Sequence, residues 1–173
     1  FAESTYSQFG EDGIVCEILK RIEGKVNLNK WCVDVGAYNG VDLSNTCKLI
    51  RELGFNAVLI EGDEKQIPVL KHNFPRGAVC VGEFVGIDGV NRLDEILKRT
   101  DVPINFDFLS LDIDGMDYWV WSSLVEYKPK IVCVEFNPTV PNAVEFINEP
   151  DFRVKHGSSA LSFVKLAESK GYS

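Results

Sequence analysis

Residues 31–40 read WCVDVGAYNG: a short apolar run closes on Asp34, and two glycines, Gly36 and Gly40, follow it. A buried parallel strand hands its chain to a helix in this way, around a nucleotide-like ligand. The next apolar run, residues 57–60, ends on Glu61, about where such a fold places the carboxylate that binds a ribose. Two acids at two strand ends make a cofactor site the leading reading.

Working outward, apolar runs rich in branched residues recur at 31–35, 57–60, 78–81, 106–111 and 131–136. Each is continuous rather than alternating, as strands covered on both faces should be. Helical spacing lies between them, carried by Leu43, Cys47 and Ile50; by Ile67, Leu70 and Phe74; by Val90, Leu93 and Leu97; and by Trp121, Leu124 and Val125. The alternation predicts an α/β fold, a doubly wound and mostly parallel sheet with helices on both faces. Ahead of it, residues 11–22 place Ile14, Val15, Ile18, Leu19 and Ile22 on one stripe, with acids early and Lys20 and Arg21 late, matching the helix dipole. A last helix is expected over 159–170, with Leu161, Val164 and Ala167 inward and a cap at Ser158–Ser159. The chain therefore reads as one domain, 1–173, made of an N-terminal helical extension (1–30) and a core (31–173). It starts at Phe1, and Lys170-Gly171-Tyr172 looks like a helix end entering a strand, so a trimmed chain without its final strands is expected.

A length of 173 residues suits a single core without disulfide or metal staples. The net charge of −8 and pI near 4.8 argue against nucleic acid as the main partner, which requires a concentrated basic face. No apolar run approaches the roughly 20 residues that span a bilayer, and residues 1–9 lack the pattern of a signal peptide. Cys16, Cys32, Cys47, Cys80 and Cys133 form an odd set with no CxxC pair, so buried reduced thiols and a cytoplasmic location are expected.

A dinucleotide site usually wants three glycines, the second letting backbone touch the pyrophosphate. Here Ala37, Tyr38 and Asn39 intervene between Gly36 and Gly40, and the tyrosine ring disfavours NAD. A nucleoside without phosphates needs only a tight turn, backbone donors, and carboxylates for a ribose and a charged amino-acid tail. S-adenosylmethionine (SAM) fits that description. Asp34 and Glu61 also have a plainer reading as a helix cap or a solvated strand end, and the glycines as a left-handed turn.

The ordered set YSQFGEDGI (6–14), VDVGAYNG (33–40), LIEGD (59–63), LSLDIDGMDYWVW (109–121) and VCVEFN (132–137) resembles the FkbM-like branch of class I SAM-dependent methyltransferases, over most of the chain. The family's loop runs roughly DVGAN with a glycine two residues later; this chain has Tyr38 at the Asn position. The resemblance implies a Rossmann-like methyltransferase fold ending in an antiparallel strand pair, which this chain lacks room for. It implies that Asp34, Gly36, Ala37, Tyr38 and Gly40 surround the methionine part of the cofactor. Glu61 then accepts from the ribose hydroxyls, with Gly62 and Asp63 beside the adenine.

LDIDG and VEFN put Asp112 and Asp114 at the end of the fourth strand and Glu135 and Asn137 at the end of the fifth. Hard oxygen ligands in that number suit Mg²⁺. Sugar and catechol O-methyltransferases of related fold use a metal in this way to acidify a substrate hydroxyl. Asp112 is expected nearest the transferred methyl and Glu135 as base or metal ligand. Against this, Asp114-Gly115 reads equally as a turn, Asp117 as a helix cap and Glu135 as the partner of a lysine.

Gln8, Glu11 and Asp12 either form a flap over the cofactor or cap the first helix. His72 and His156 are isolated, and Trp119 and Trp121 read as core more than as a sugar platform. The stiff segment PTVPNAVEF, 138–146, is the expected acceptor loop. The reading as a whole is a SAM-dependent O-methyltransferase, Mg²⁺-assisted or not, acting on a small hydroxylated molecule or a glycan sugar. Two alternatives are a glycosyltransferase using DID as a DxD motif, and a SAM-binding or interaction domain without catalysis.

Overall fold

A computed structural model describes all residues, Phe1 to Ser173. Its strands are β1 (Trp31–Val35), β2 (Asn56–Glu61), β3 (Ala78–Gly82), β4 (Phe108–Leu111) and β5 (Ile131–Val134). All pair in parallel, in the order β3-β2-β1-β4-β5. The chain steps outward from β1 through β2 to β3, then returns to the other side of β1 for β4 and β5. A topological switch point therefore lies between β1 and β4, the place where open α/β sheets bind ligands.

Successive strand residues face opposite sides of the sheet. Val33, Val35, Val58, Ile60, Leu109 and Leu111 enter one core with α4 (Leu93–Leu97), α5 (Asp117–Ser123) and α6 (Ala160–Ser169). Cys32, Ala57, Leu59 and Phe108 enter a second core with α1 (Glu11–Ile22), α2 (Cys47–Arg51) and α3 (Ile67–Asn73). The predicted double winding is found. Each fully buried side chain such as Phe108 or Leu109 contributes roughly 1.5–3 kcal/mol by leaving water.

Several element details differ from the sequence reading. Phe106 is fully buried but precedes β4, and Glu135 and Phe136 lie beyond β5. Leu43 is exposed with φ 59 and lies outside α2, and Val90 is exposed on a short 3₁₀ turn, Gly89–Asn91. Of the apolar stripe on α1 only Val15 and Leu19 are buried, whereas Ile14 and Ile18 reach solvent. On α6 the buried face is Ser162, Phe163 and Leu166; Val164 is exposed. Ser159 Oγ caps this helix by accepting from the Ser162 N–H, as expected. The buried serine cap turns the helix so that Phe163, not Val164, meets Trp121.

At the amino edge of the sheet, fully buried Asp107 accepts from the N–H of Asn29 (3.0 Å) and Lys30 (2.6 Å) and pairs with Lys130 Nζ at 2.6 Å. It fastens the approach to β1 to the approach to β5. The five cysteines are free, with Cys32 and Cys47 buried. No helix is long and apolar enough to cross a membrane.

Candidate active site

A cavity of about 710 Å³ opens at the carboxyl ends of the strands, over the switch point. The loop after β1 forms one wall. Gly36 has φ 86, and a Cβ there would overlap the Asp112 carbonyl oxygen, so only glycine lets β1 turn this close to the end of β4. The N–H groups of Gly36 and Ala37 both donate to Ile60 O, at 3.0 Å. Tyr38, at φ 48, donates its N–H to Glu61 Oε2 at 2.7 Å, and Asp63 N–H donates to Oε1 at 2.7 Å. Glu61 thus holds the glycine turn and its own strand end together, and each carboxylate oxygen retains a second lone pair. Gly40, at φ 75, closes the turn on Ala37 O and packs against Phe74. Asp63 is exposed and accepts from Lys65 N–H, a local turn bond.

Asp34 lies on the opposite sheet face from Val33 and Val35, and it is 5% exposed. Thr46 Oγ1 donates to it at 2.6 Å and Ser44 Oγ at 3.5 Å. Burial pushes its carboxyl up to about 6; the hydroxyls of Thr46 and Ser110 oppose that, and the charge of Asp112 adds to it. Asn45 continues the polar row, donating to Ser110 Oγ at 3.2 Å and lying 3.8 Å from Cys133 Sγ. The partners of Asp34 are hydroxyls rather than cations.

Asp112 and Asp114 line the cavity, and Glu135, just off its wall, brings a carboxylate oxygen within 4.8 Å of theirs. All three reach solvent, but the protein packed behind them removes water, and Glu135 is pushed up to about 7 by that burial and then by the charge of Asp112. The Asp112 carboxyl is also raised by burial, partly offset by a hydrogen bond from Glu135. Asp114 and Gly115 turn at φ 54 and 111, and buried Asp117 accepts from the N–H of Ile113 and Gly115, both at 3.0 Å. The turn reading of Asp114 and Gly115 is therefore what the backbone shows, whereas Asp117 does not cap α5: it is the helix's first residue, and its carboxylate holds the preceding turn. Glu135 has no lysine partner; Lys155 Nζ approaches Asp114 instead, at 3.9 Å. Asn137 Oδ1 accepts from Thr139 N–H (3.0 Å) and Oγ1 (2.6 Å).

Two expectations are corrected. Residues of the YSQFGED segment do not line the cavity: Asp12 is 2% exposed and anchors its own loop, accepting from the N–H of Thr5, Tyr6 and Ser7. Segment 138–146 is not the cavity wall either, since Phe146 is fixed to the start of α6 by Ser159 and Ser162. Phe152 and Lys155 line the cavity in its place. His72 and His156 are exposed and away from it, and Trp121 is core. The sequence reading also missed Leu43, Glu83 and Phe84 on the cavity wall. A Cβ on Gly62 would overlap the Phe84 ring, so the LIEGD glycine makes room for an aromatic from the end of β3. The clue lay in a large aromatic directly after the edge strand β3.

No protein-family model matches the sequence, and no curated protein matches it. Solved structures do. The METTL16 MTase domain aligns with TM-score 0.53 at 14% identity, covering 74% of this chain and 51% of that one. Precorrin-6y C5,15-methyltransferase from Geobacter metallireducens aligns with TM-score 0.53 at 12% identity over 100% of this chain and 77% of that one. The plantazolicin methyltransferase BamL, solved with a triazolic desmethylPZN analog and SAH, aligns with TM-score 0.55 at 10% identity, covering 93% and 61%. This is the class I SAM-dependent methyltransferase fold. The chain spans about half the length of the first of these structures. At such identities the likeness speaks for architecture, and the chemistry has to come from the residues.

Proposed function

We propose that this chain is a SAM-dependent methyltransferase of the FkbM-like kind, methylating a hydroxyl on a small molecule or a glycan sugar in the cytoplasm. One observation carries the reading: Asp34, the Gly36 turn and Glu61 meet in one cavity at the switch point, with a carboxylate cluster on its rim. The residues suit the cofactor by donor chemistry, since Asp34 is a buried carboxylate without a cation and Glu61 keeps free lone pairs. Asp34 answers the ammonium of an amino-acid tail, Gly36, Ala37, Tyr38 and Gly40 frame it, Glu61 accepts from the ribose, and Gly62 and Asp63 flank the adenine. Bound SAM would supply an already activated methyl group.

The chain's task is then to align the acceptor and remove its proton. Glu135 would take the proton of the acceptor hydroxyl, and Asp112, on the cavity wall, would orient that hydroxyl toward the methyl group the cofactor supplies. The carboxylate set of Asp112, Asp114 and Glu135 also suits a hard cation, which would supply acidification of the hydroxyl. Asn137 is left out of that set because Thr139 already occupies its oxygen. The DxD glycosyltransferase reading leaves Glu61 and the Gly36 turn without a role.

Calorimetry with SAM, NAD and a UDP-sugar, each with and without Mg²⁺, tests the reading. Micromolar SAM binding alone supports it. Binding of NAD or a UDP-sugar in preference to SAM overturns it, and SAM binding without methyl transfer to any hydroxylated acceptor leaves a binding module.

A further inference from the structure

Residues 149–157 form a strap whose ends are clamped and whose middle is not. At the ends, Ser158 Oγ donates to Asn148 Oδ1 at 2.6 Å, and Asn148 N–H donates to Ser158 Oγ at 3.2 Å. Both residues are buried, at 2% and 1% exposure. The clamp is tied to the turn that carries Asp112 and Asp114, because Asn148 Nδ2 donates to Gly115 O at 2.6 Å. Trp119 Nε1 adds a bond to Asn148 O at 2.8 Å. Gly115 also meets the strap directly: a Cβ there would overlap Val154 O.

Between the clamps the bonds are local or solvated. Asp151 pairs with Arg153, whose side chain is 90% exposed, and Lys155 reaches Asp114 only at 3.9 Å, both exposed. Solvated pairs of this kind contribute little. Few buried contacts hold the segment, which is the physical signature of low local stability. Yet Phe152, half-exposed, and Lys155 both line the cavity, and Lys155 is the only cation on a wall that includes Asp34, Asp42, Glu61, Glu83, Asp112 and Asp114.

We infer that the strap is a specificity wall that packs on whatever fills the cavity, with Phe152 as its contact and Asn148 as the positioning residue that fixes it to the Asp112–Asp114 turn. This rests on the SAM reading above. A half-exposed phenyl ring beside a cavity gains burial when a ligand arrives, and the ligand favours the seated strap by the same factor by which the strap favours the ligand. The contact thus couples two measurable quantities.

The test uses limited trypsin digestion of the whole chain with and without S-adenosylhomocysteine (SAH), together with SAH calorimetry. Arg153 and Lys155 are the cleavage sites in the strap, and Lys25, at the opposite edge of the sheet, is the internal reference. Saturating SAH should slow strap cleavage about tenfold relative to Lys25, and Phe152→Ala should lose both that protection and about tenfold in SAH affinity. Phe152→Trp should restore both. SAH binding with unchanged strap cleavage, or an unaffected Phe152→Ala, overturns the inference while leaving the cofactor reading intact. Absence of SAH binding by the wild-type chain overturns the cofactor reading and the strap's role with it.

Discussion

At the amino edge of the sheet Asp107 is wholly buried, and two backbone N–H groups and Lys130 satisfy it. At the carboxyl edge Asp34 is nearly as buried but has only hydroxyls, and beside it stands a second group of acids, Asp112, Asp114 and Glu135, in which burial first, and neighbouring negative charge after it, raises the carboxyls of Asp112 and Glu135. The fold closes one edge electrostatically and leaves the other negative, with Lys155 as the one cation on its cavity wall. A buried carboxylate with a paired cation holds structure; one without a cation is a place for a ligand to bring one, or to bring hydroxyl groups.

Breaking the pair at the closed edge should have the largest effect. Lys130→Met strands the Asp107 charge and should lower unfolding free energy by about 3–5 kcal/mol in urea titrations, while SAH affinity stays unchanged. Steric pressure at the open edge comes next. Gly36→Ala must move backbone at Asp112 and adopt a left-handed φ, costing about 2–4 kcal/mol of stability and abolishing SAH binding in the same calorimeter.

Removing charge at the open edge should do the opposite of removing it at the closed one. Asp34→Asn should stabilise the chain by about 1–3 kcal/mol at pH 8 and weaken SAH binding. The sign follows from its raised carboxyl. A group that holds its proton to about 6 in the fold, against an ordinary 3.8, loses stability as pH rises between those values and is constant above them. The gain from Asn should therefore shrink as the pH falls below 6, and thermal melts at pH 5 and 8 measure it. If Asp34→Asn destabilises at pH 8, the contrast between the edges fails. The smallest effect is expected of Gly62→Ala, where the obstacle is the outer ring of exposed Phe84, free to swing away, so stability should change by less than about 1 kcal/mol.

The strands were legible because a sheet covered on both faces writes each strand as an unbroken apolar run, and the turn after β1 because Gly36 answers a close backbone approach that no other residue allows. What stayed hidden depends on bonds between distant residues. The inward face of α6 follows from the Ser158, Ser159 and Ser162 network with Asn148 and Phe146, not from its own periodicity. Asp12 read as either a flap acid or a helix cap because sequence alone does not show three N–H groups folding back onto it. Phe152 and Lys155 belong to an irregular segment with no repeating pattern, so only the clamp at Asn148 reveals where they go.

The pairing of Cys32 with both Ala57 and Phe108 has a kinetic side. β1, β2 and β3 are near neighbours along the chain and can associate early, whereas β1 and β4 close a long loop, the slow kind of step. That closure brings Asp112 and Ser110 up to Asp34 and Gly36. Completing the core and assembling the pocket are then one event, so a ligand that fills the pocket should act late, slowing unfolding far more than it hastens folding.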